Sequence, residues 1–214
     1  MTVPIRIWSD YVCPFCLLAK QPLAEATAGR DVSVTWMPFE LRPEPTPTLR
    51  PEGRYLQDVW ARVVYPMARR MGVGIRLPDV SPQPYTRLAF EGHRFALEHG
   101  MAGEYDDRVL RAFFEDGLDI GDPEVLTGIA AGLGLPAEAF RAALADGRYA
   151  EAHRAALAEA ASLQITAVPT VLVGDVRIEG VPGVEALRKA IDKAEATLTE
   201  GRSARSTGAE SRGL

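Results

Sequence analysis

The pattern of apolar and polar residues at the start of the chain predicts a strand, a helix and a second strand. Residues 3–8 are rich in good strand formers, and the run closes at Ser9-Asp10. From Pro14, apolar residues recur at helical spacing until Gly29 ends the segment. Residues 32–36 then alternate as a strand. A β-α-β unit of this kind is expected to be parallel and right-handed.

The middle of the chain carries helical periodicity with almost no strand signal. Residues 42–51 contain four prolines, which predicts a loop or an extended connector. Beyond this connector, apolar residues recur at helical spacing and are interrupted by Gly and Pro clusters, so we predict an all-helical insertion. The candidate helices are residues 55–70, 85–98, 105–115, 123–131 and 137–144.

After the insertion the pattern returns to a mixture of helix and strand. Residues 150–161 predict an Ala-rich helix. Residues 170–173 and 176–180 predict a β-hairpin, because Gly174-Asp175 between them forms a tight turn. A last helix is predicted from residue 182 to about residue 195.

These segments describe one α/β domain that is interrupted by the helical insertion. We assign residues 1–43 to the first part of the α/β domain, 44–147 to the insertion, 148–196 to the second part and 197–214 to a tail. The tail is small and polar, and it cannot offset the entropy of becoming ordered. We therefore expect the tail to be mobile.

The composition fits a folded protein and excludes several classes of partner. Of the 214 residues, 47% are hydrophobic and 25% are charged, which excludes a wholly disordered or fibrous chain. The formal net charge of −5 argues against broad binding to nucleic acid or to anionic lipid. No apolar run approaches the ~18–20 residues of a membrane helix, and the first residues lack a secretory signal. We expect a cytoplasmic protein without a nucleic-acid or membrane partner.

The two cysteines, Cys13 and Cys16, form the motif Cys-Pro-Phe-Cys. Two cysteines cannot form a disulfide framework, and a pair this close is more often catalytic or metal-binding than structural. A zinc site would need two further soft or imidazole ligands. The only histidines are His93, His99 and His153, all in the helical part of the chain, so we expect neither a metal nor a bound cofactor.

The position of the motif at the start of a helix suits thiol chemistry. Cys13 takes the N-cap position and Pro14 the first helical position, where free amides and the helix dipole favour the thiolate of Cys13. Cys16 lies three residues on, on the same face, and is the inward resolving thiol. Cys13 can attack a substrate disulfide and Cys16 can resolve the mixed disulfide. Phe15 adds no charge, which predicts a less oxidising pair than one with histidine there.

Val168-Pro169 precedes the predicted strand at residues 170–173. Proline cannot donate to a strand ladder, so it belongs at the beginning of the strand, a position compatible with a cis peptide bond. If this strand runs antiparallel, its beginning reaches the carboxyl edge of the β-α-β unit, where the cysteine motif also lies. The backbone around Val168 could then pair with an extended substrate peptide.

The chain resembles the DsbA-like branch of thioredoxin-fold proteins, and in particular the cytoplasmic FrnE-type dithiol-disulfide oxidoreductases. The resemblance rests on Ile7-Trp-Ser-Asp-Tyr-Val-Cys-Pro-Phe-Cys16, Met37-Pro-Phe-Glu-Leu-Arg-Pro43, Phe113-Phe-Glu-Asp-Gly-Leu-Asp-Ile-Gly-Asp122 and Ile165-Thr-Ala-Val-Pro-Thr170. It implies an α/β thioredoxin fold (β-α-β … α-β-β-α) split by the helical insertion. It also implies Cys13 as nucleophile, Cys16 as resolving cysteine and Pro169 as the cis-proline facing them, with Pro14, Phe15 and Val168 supporting the site.

One position departs from the pattern of the family. Many thioredoxin relatives carry a buried acid six residues before the nucleophile, and here that residue is Ile7. The proton acceptor for Cys16 is therefore left open between Asp10, Glu40 and water. Asp10 could equally cap the turn that follows the first strand.

Three functions are compatible with these features. The first is a thiol-disulfide oxidoreductase or isomerase acting on protein or small-molecule disulfides, kept reduced in the cytosol, with glutathione as a candidate reductant. The second is a glutathione-dependent isomerase or transferase, similar to the 2-hydroxychromene-2-carboxylate isomerases and the kappa-type transferases, which usually have serine in place of Cys13. The third is a redox-sensing holdase that uses an exposed apolar groove.

Overall fold

The computed structural model describes residues 2–210, with side chains up to residue 200. Within this range the chain forms a four-stranded mixed sheet, helices on both of its faces, and a helical insertion after the second strand. The strands are β1 (Val3–Ser9), β2 (Val32–Pro38), β3 (Thr170–Val173) and β4 (Val176–Glu179). The helices are α1 (Pro14–Thr27), α2 (Arg54–Val59), α3 (Tyr65–Met71), α4 (Arg87–Glu98), α5 (Ala102–Arg111), α6 (Pro123–Gly132), α7 (Ala137–Ala145), α8 (Ala150–Ser162) and α9 (Val184–Glu210).

The sheet has the strand order β2-β1-β3-β4, and β2 lies at one edge. β1 and β2 pair in parallel, with Val3 opposite Val32 and Ser9 opposite Pro38. β3 runs antiparallel to β1, and β4 antiparallel to β3. The predictions of a parallel β-α-β unit and of a hairpin at Gly174-Asp175 are therefore confirmed. The third strand runs antiparallel, which is the condition under which its beginning reaches the edge of the sheet at the cysteine motif.

Successive side chains of β1 point to opposite faces of the sheet, and different helices cover the two faces. Ile5 and Ile7 point to the face covered by α1 and α9, where Leu23 and Leu187 complete a buried cluster. Trp8 points to the opposite face and packs with residues at the end of α8 and in the loop that follows it. This second face is covered only in part, because Trp8 is fully buried there whereas Pro4 is exposed and Arg6 is half-buried.

The helical insertion has its own large core, and this core reaches the cysteine motif. Buried aromatic residues form its centre, among them Trp60, Phe113 and Phe140. Tyr11 belongs to the same cluster, and Phe15 packs against it. The predicted helix at residues 55–70 is continuous over residues 54–71, but its middle turn, Trp60–Val64, is π-helical. A second π-helical turn, Ala112–Asp116, follows α5.

The last helix is longer than predicted. The pattern placed its end near residue 195, whereas α9 runs to Glu210. Leu198 packs against the cluster between α9 and the sheet, and the Thr197 hydroxyl donates to the Lys193 carbonyl one turn earlier. Once a helix is nucleated, each added residue gains a hydrogen bond at a low entropic cost, so the helix continues through a polar sequence. Residues 211–214 of the predicted mobile tail lie outside the described residues.

No helix in residues 2–210 combines the length and the apolar character needed to cross a lipid bilayer.

Candidate active site

The cysteine motif lies where β1 ends and α1 begins. Cys13 occupies the N-cap with an extended backbone, and Pro14 takes the first helical position. The Cys13 amide donates to the Asp10 carbonyl at 3.1 Å, and the Cys16 amide donates to the Cys13 carbonyl at 3.1 Å. Both thiols are free, with Cys13 only 4% exposed and Cys16 fully buried. The structure thus describes the reduced form of the pair, with Cys13 as the outer sulfur.

The expected contact between the Cys13 sulfur and the amides of the first helical turn is absent in the described structure, so that prediction was wrong. The Cys13 sulfur instead lies 3.7 Å from the carbonyl oxygen of Val168. A thiol is a donor, and it turns to the nearest carbonyl rather than to amides that are themselves donors. This contact brings Val168 and the motif together. The bond between Val168 and Pro169 is cis.

Cys16 is held as a thiol by its surroundings. Burial raises the pKa of Cys16 well above its usual value, and the neighbouring Cys13 sulfur raises it further. The Ser9 hydroxyl and the Asp10 amide hydrogen-bond to the Cys16 sulfur and lower this pKa, but burial is the larger effect. Sequence reasoning missed Ser9. The alternation of side chains along β1 could have identified Ser9, because Ser9 lies two residues beyond Ile7 and therefore on the same face.

Asp10 is buried beside the motif and connects it to the start of the insertion. Its Oδ2 accepts a hydrogen bond from the Leu41 amide at 2.7 Å. Burial raises the pKa of Asp10 to about 6, while the hydrogen bonds from the Leu41 amide and from the Val12 amide oppose this rise. The negative charge of Glu40 adds to the rise in pKa. Asp10 therefore fixes the loop after β2 and also carries a carboxyl that titrates near neutrality.

The Glu40 carboxylate pairs with a histidine of the helix that precedes β3. Its Oε1 lies 2.5 Å from Nε2 of His153 on α8, and both side chains are buried. The His153 ring stacks on Phe90 with centroids 5.5 Å apart. Sequence reasoning missed His153 as the partner of Glu40, since the two residues are 113 positions apart and only tertiary packing joins them.

Cys13 faces a pocket of about 280 Å³ between the motif and the insertion, called here the cysteine pocket. Cys13, Pro14, Phe15 and Val168 form one wall, so four of the site residues predicted from the sequence meet here. The opposite wall comes from the connector after β2, from α2 and the π-helical turn that follows it, and from the loop before α4. It includes Leu41, Arg42, Leu49, Leu56, Trp60 and Gln83. Asp10 lines the same pocket, whereas Glu40 does not. The insertion therefore makes a largely apolar cover over the outer sulfur.

The residues around the motif alternate between two pockets. Asp10 and Val12 line the cysteine pocket, whereas Ser9 and Tyr11 line a second pocket of about 260 Å³ bounded by β2, α4 and α5. The Tyr11 hydroxyl donates to Asp106, and burial with the Asp106 charge raises the pKa of Tyr11 well above its usual value. Tyr11 therefore stays protonated and remains a donor.

Among the side chains of residues 2–200, no cluster of three or more His, Cys, Asp or Glu residues has the arrangement of a metal site.

A parallel β-α-β unit has a dithiol at the start of its helix, and the outer sulfur contacts the carbonyl of the residue before a cis-proline, where an antiparallel strand begins. This arrangement defines a thioredoxin-fold dithiol protein with a helical insertion. The chain belongs to the DSBA-like thioredoxin domain family, whose model matches residues 4–192. The family and fold expected from the sequence are confirmed.

Several known proteins are similar to this chain. The uncharacterized protein YwbO of Bacillus subtilis (strain 168) is 47% identical over 193 residues, which cover 89% of this chain and 96% of YwbO. The structure of a probable DsbA oxidoreductase, SCO1869 from Streptomyces coelicolor, matches with a TM-score of 0.79 and 29% identity, covering 91% of this chain and 90% of that one. The cytosolic disulfide reductase DsbM from Pseudomonas aeruginosa with GSH shares the fold, with a TM-score of 0.63, 18% identity, and 93% and 99% of the two chains covered.

Proposed function

We propose that this protein is a thiol-disulfide oxidoreductase of the cytoplasm, of the FrnE type, in which Cys13 is the nucleophile and Cys16 the resolving cysteine. The observation that carries the proposal is the difference between the two sulfurs. Cys13 lines an apolar pocket that a substrate can enter, whereas Cys16 is fully buried behind it. The similarity to a probable DsbA oxidoreductase supports the same chemistry.

The reaction proceeds by two thiol-disulfide exchanges. The Cys13 thiolate attacks one sulfur of a substrate disulfide, the substrate S–S bond breaks, and the second substrate sulfur leaves as a thiolate that takes up a proton. Cys16 then gives up its proton and attacks the Cys13 sulfur, which releases the first substrate sulfur as a thiol. The substrate gains two electrons and the Cys13-Cys16 pair becomes a disulfide.

A thiol must reduce the Cys13-Cys16 disulfide for the next turnover. Two molecules of glutathione can supply the two electrons and leave as glutathione disulfide. DsbM, which shares the fold, has a structure with GSH. Glutathione is therefore our proposed reductant, and a disulfide in a protein or in a small molecule is our proposed substrate.

We assign Asp10 as the acceptor of the Cys16 proton, directly or through a water molecule. A buried thiol with a raised pKa needs a base before it can attack. Asp10, with a pKa of about 6, is ionised at neutral pH and lies next to the motif. Glu40 is the weaker candidate because His153 already holds its carboxylate.

The Val168 carbonyl is proposed to bind the backbone of an extended substrate. It lies 3.7 Å from the Cys13 sulfur, so a substrate amide that pairs with it would bring a nearby disulfide to the nucleophile. Pro14 and Phe15 form the wall of the cysteine pocket beside it. A peptide substrate uses this carbonyl, whereas a small disulfide needs only the pocket.

The experiment is reduction of insulin and of glutathione disulfide by the purified protein, with dithiothreitol as electron donor. We expect turnover by the wild type and none by Cys13→Ser. Reduced Cys16→Ser, mixed with the substrate after dithiothreitol has been removed, should form a trapped mixed disulfide that is visible by mass spectrometry. Equal rates for the wild type and Cys13→Ser would reject the proposal. Isomerisation of an aromatic substrate with glutathione by Cys13→Ser would favour the isomerase instead. Suppression of aggregation by the double serine variant, without turnover, would favour the holdase.

A further inference from the structure

β2 is an edge strand of the sheet, so only one side of its backbone is paired with another strand. At one end of the pairing with β1, the Val3 amide donates to the Asp31 carbonyl at 2.9 Å. At the other end, the Phe39 amide donates to the Ser9 carbonyl at 3.0 Å. Backbone groups of successive residues in a strand point in opposite directions, so the odd-numbered residues of this stretch face β1. The backbone groups of the even-numbered residues therefore point away from the sheet.

Val34 and Trp36 carry the outward backbone groups in the middle of β2. Apart from the pairing with β1, which uses the odd-numbered residues, no described residue hydrogen-bonds to the amide or the carbonyl of either one. Val34 is 37% exposed and its neighbours Ser33 and Thr35 are exposed, so this edge is open to solvent. The strand has no charged residue, and charged residues are a common protection of edge strands against further pairing. The edge of β2 therefore remains open to an additional strand.

The second pocket runs along this edge. Val34 and Trp36 line it on one side, and α4 and the first turn of α5 line it on the other. Leu97 of α4 contributes to the wall and is 50% exposed. An extended chain laid against β2 would thus have strand backbone on one side and apolar side chains of the insertion on the other. This combination of backbone pairing and side-chain pockets is the usual mode of peptide recognition by strand addition.

Arg94 gives the second pocket an uncompensated positive charge. This half-buried residue of α4 lines the pocket, and within the described side chains it has no ion pair and no hydrogen bond. The other two ionisable residues of the lining, His93 and Asp106, are 2.8 Å apart and pair with each other. The charge left over is therefore that of Arg94, which favours an acidic group on the occupant.

The position of the insertion favours a single extended chain over a second copy of the protein. α4 and α5 border the pocket opposite β2, and the pocket has a volume of only about 260 Å³. One added strand needs a spacing of about 4.8 Å from β2. The sheet of a second folded copy would have to approach the same edge past α4 and α5.

We propose that the edge of β2 binds an extended, mainly apolar peptide segment of a partner protein that carries an acidic residue. The segment adds a fifth strand, because the outward amides and carbonyls of Val34 and Trp36 pair with its backbone. Its apolar side chains pack on Leu97, and its carboxylate pairs with Arg94. Neither cysteine lines the second pocket, so the binding does not depend on the dithiol.

The test is fluorescence anisotropy of a labelled hexapeptide, Thr-Val-Glu-Val-Thr-Val, titrated with the reduced full-length protein. Two analogues have ester bonds in place of amides, either at the second and fourth residues or at the third and fifth. The amides of a strand alternate in direction, so only one of these sets faces β2. We expect that analogue to bind about tenfold or more weakly than the parent, and the other within about threefold. No binding of the parent at millimolar concentration, or equal binding of the two analogues, would overturn the proposal.

Variants of the protein locate the binding on this edge. Val34→Pro removes an amide that the pairing with β1 does not use, so it should abolish peptide binding in a protein that circular dichroism shows to be folded. Leu97→Ala should weaken binding by about threefold or more, whereas Leu118→Ala, a matched exposed leucine outside the pocket, should not. Wild-type binding by both Val34→Pro and Leu97→Ala would contradict the proposal.

The charge contact is tested by changing both partners. Arg94→Gln should weaken binding of the parent peptide by about threefold or more. It should leave unchanged the binding of a peptide with Gln in place of Glu. An equal effect on both peptides would show that Arg94 does not read an acidic group.

Two further measurements separate this site from the dithiol and from self-association. The double variant Cys13→Ser/Cys16→Ser should bind the peptide as the wild type does, so failure of the thiol chemistry leaves this proposal standing or falling on its own result. Loss of peptide binding in that variant would contradict it. In sedimentation, a wild-type dimer that Val34→Pro dissociates and that binds no peptide would assign the edge to a second copy and overturn the proposal.

Discussion

The Cys13 sulfur lies 3.7 Å from the carbonyl oxygen of Val168, across the gap between the start of α1 and the start of β3. This contact joins segments that are 155 positions apart and depends on the antiparallel pairing of β3 with β1. In the reduced protein the thiol donates to this carbonyl. In the proposed mechanism, Cys13 gives up its proton when it attacks a substrate, which would free the carbonyl to accept a substrate amide. The same atom would then serve both the resting state and the substrate complex.

Replacing Phe15 by histidine should make the dithiol pair more oxidising. A charged imidazole between the cysteines stabilises the Cys13 thiolate, which exists only in the reduced form, so the equilibrium shifts toward reduction. We expect the reduction potential to rise by about 30 mV for each tenfold gain in stability of the reduced form. The measurement is equilibration of Phe15→His against glutathione. Phe15→Tyr keeps the ring without a charge and should stay at the wild-type potential; an equal rise in both variants would assign the change to packing.

Local patterns predicted much of this fold. β1, α1, β3 and the hairpin turn are within two residues of their predicted bounds, because period-two and helical spacing, proline and glycine act over a few residues. The pairing of Glu40 with His153 could not be predicted, because it depends on where α8 packs. The prediction that Cys13 contacts the amides of the first helical turn failed for a chemical reason. The helix-dipole argument treats the sulfur as an anion, whereas the thiol is a hydrogen-bond donor.

Gly92→Ala should destabilise the insertion, although alanine normally favours a helix. A Cβ at Gly92 of α4 would lie 2.2 Å from the Tyr105 hydroxyl oxygen and 2.7 Å from the Phe140 ring. Both aromatic residues are fully buried and cannot move away without disturbing the core. We expect a loss of about 1–3 kcal/mol in the free energy of unfolding in urea.

Gly128→Ala is the matched control for the Gly92 substitution. Gly128 lies inside α6, and among the described residues a Cβ there meets no atom within 4 Å apart from its chain neighbours and the backbone of its own helix. Alanine should therefore raise the free energy of unfolding by about 0.5–1 kcal/mol, through helix propensity alone. If Gly92→Ala raises the free energy of unfolding as Gly128→Ala does, the close approach of α4 to Tyr105 is incorrect.

Asp10 should make the protein less stable as the pH rises from about 4 to about 6. Its pKa is 3.8 in the reference state and about 6 in the folded protein, so the folded state holds the proton more tightly. Deprotonation therefore favours the unfolded state, by about 3 kcal/mol once the pH exceeds both values. Asp10→Asn removes this titration while its amide oxygen can still accept from Leu41. The difference in urea unfolding between Asp10→Asn and the wild type should favour the variant at pH 8 and shrink at pH 4; a constant difference would contradict the raised pKa.

The same substitution should slow the resolving step while leaving the first exchange intact. Cys16 is buried and its pKa is raised, so its attack on the mixed disulfide needs a base, and general-base catalysis contributes about 10²–10⁴-fold. We expect Asp10→Asn to accumulate the mixed disulfide of Cys13 and to lose the wild-type rise in resolution rate near pH 6, as measured by rapid acid quench and mass spectrometry. Glu40→Gln controls for loss of a neighbouring buried carboxylate. It should keep the rise in resolution rate, with the midpoint moved to a lower pH because the Glu40 charge no longer raises the pKa of Asp10. If Glu40→Gln removes the rise and Asp10→Asn does not, the proton goes to Glu40 instead.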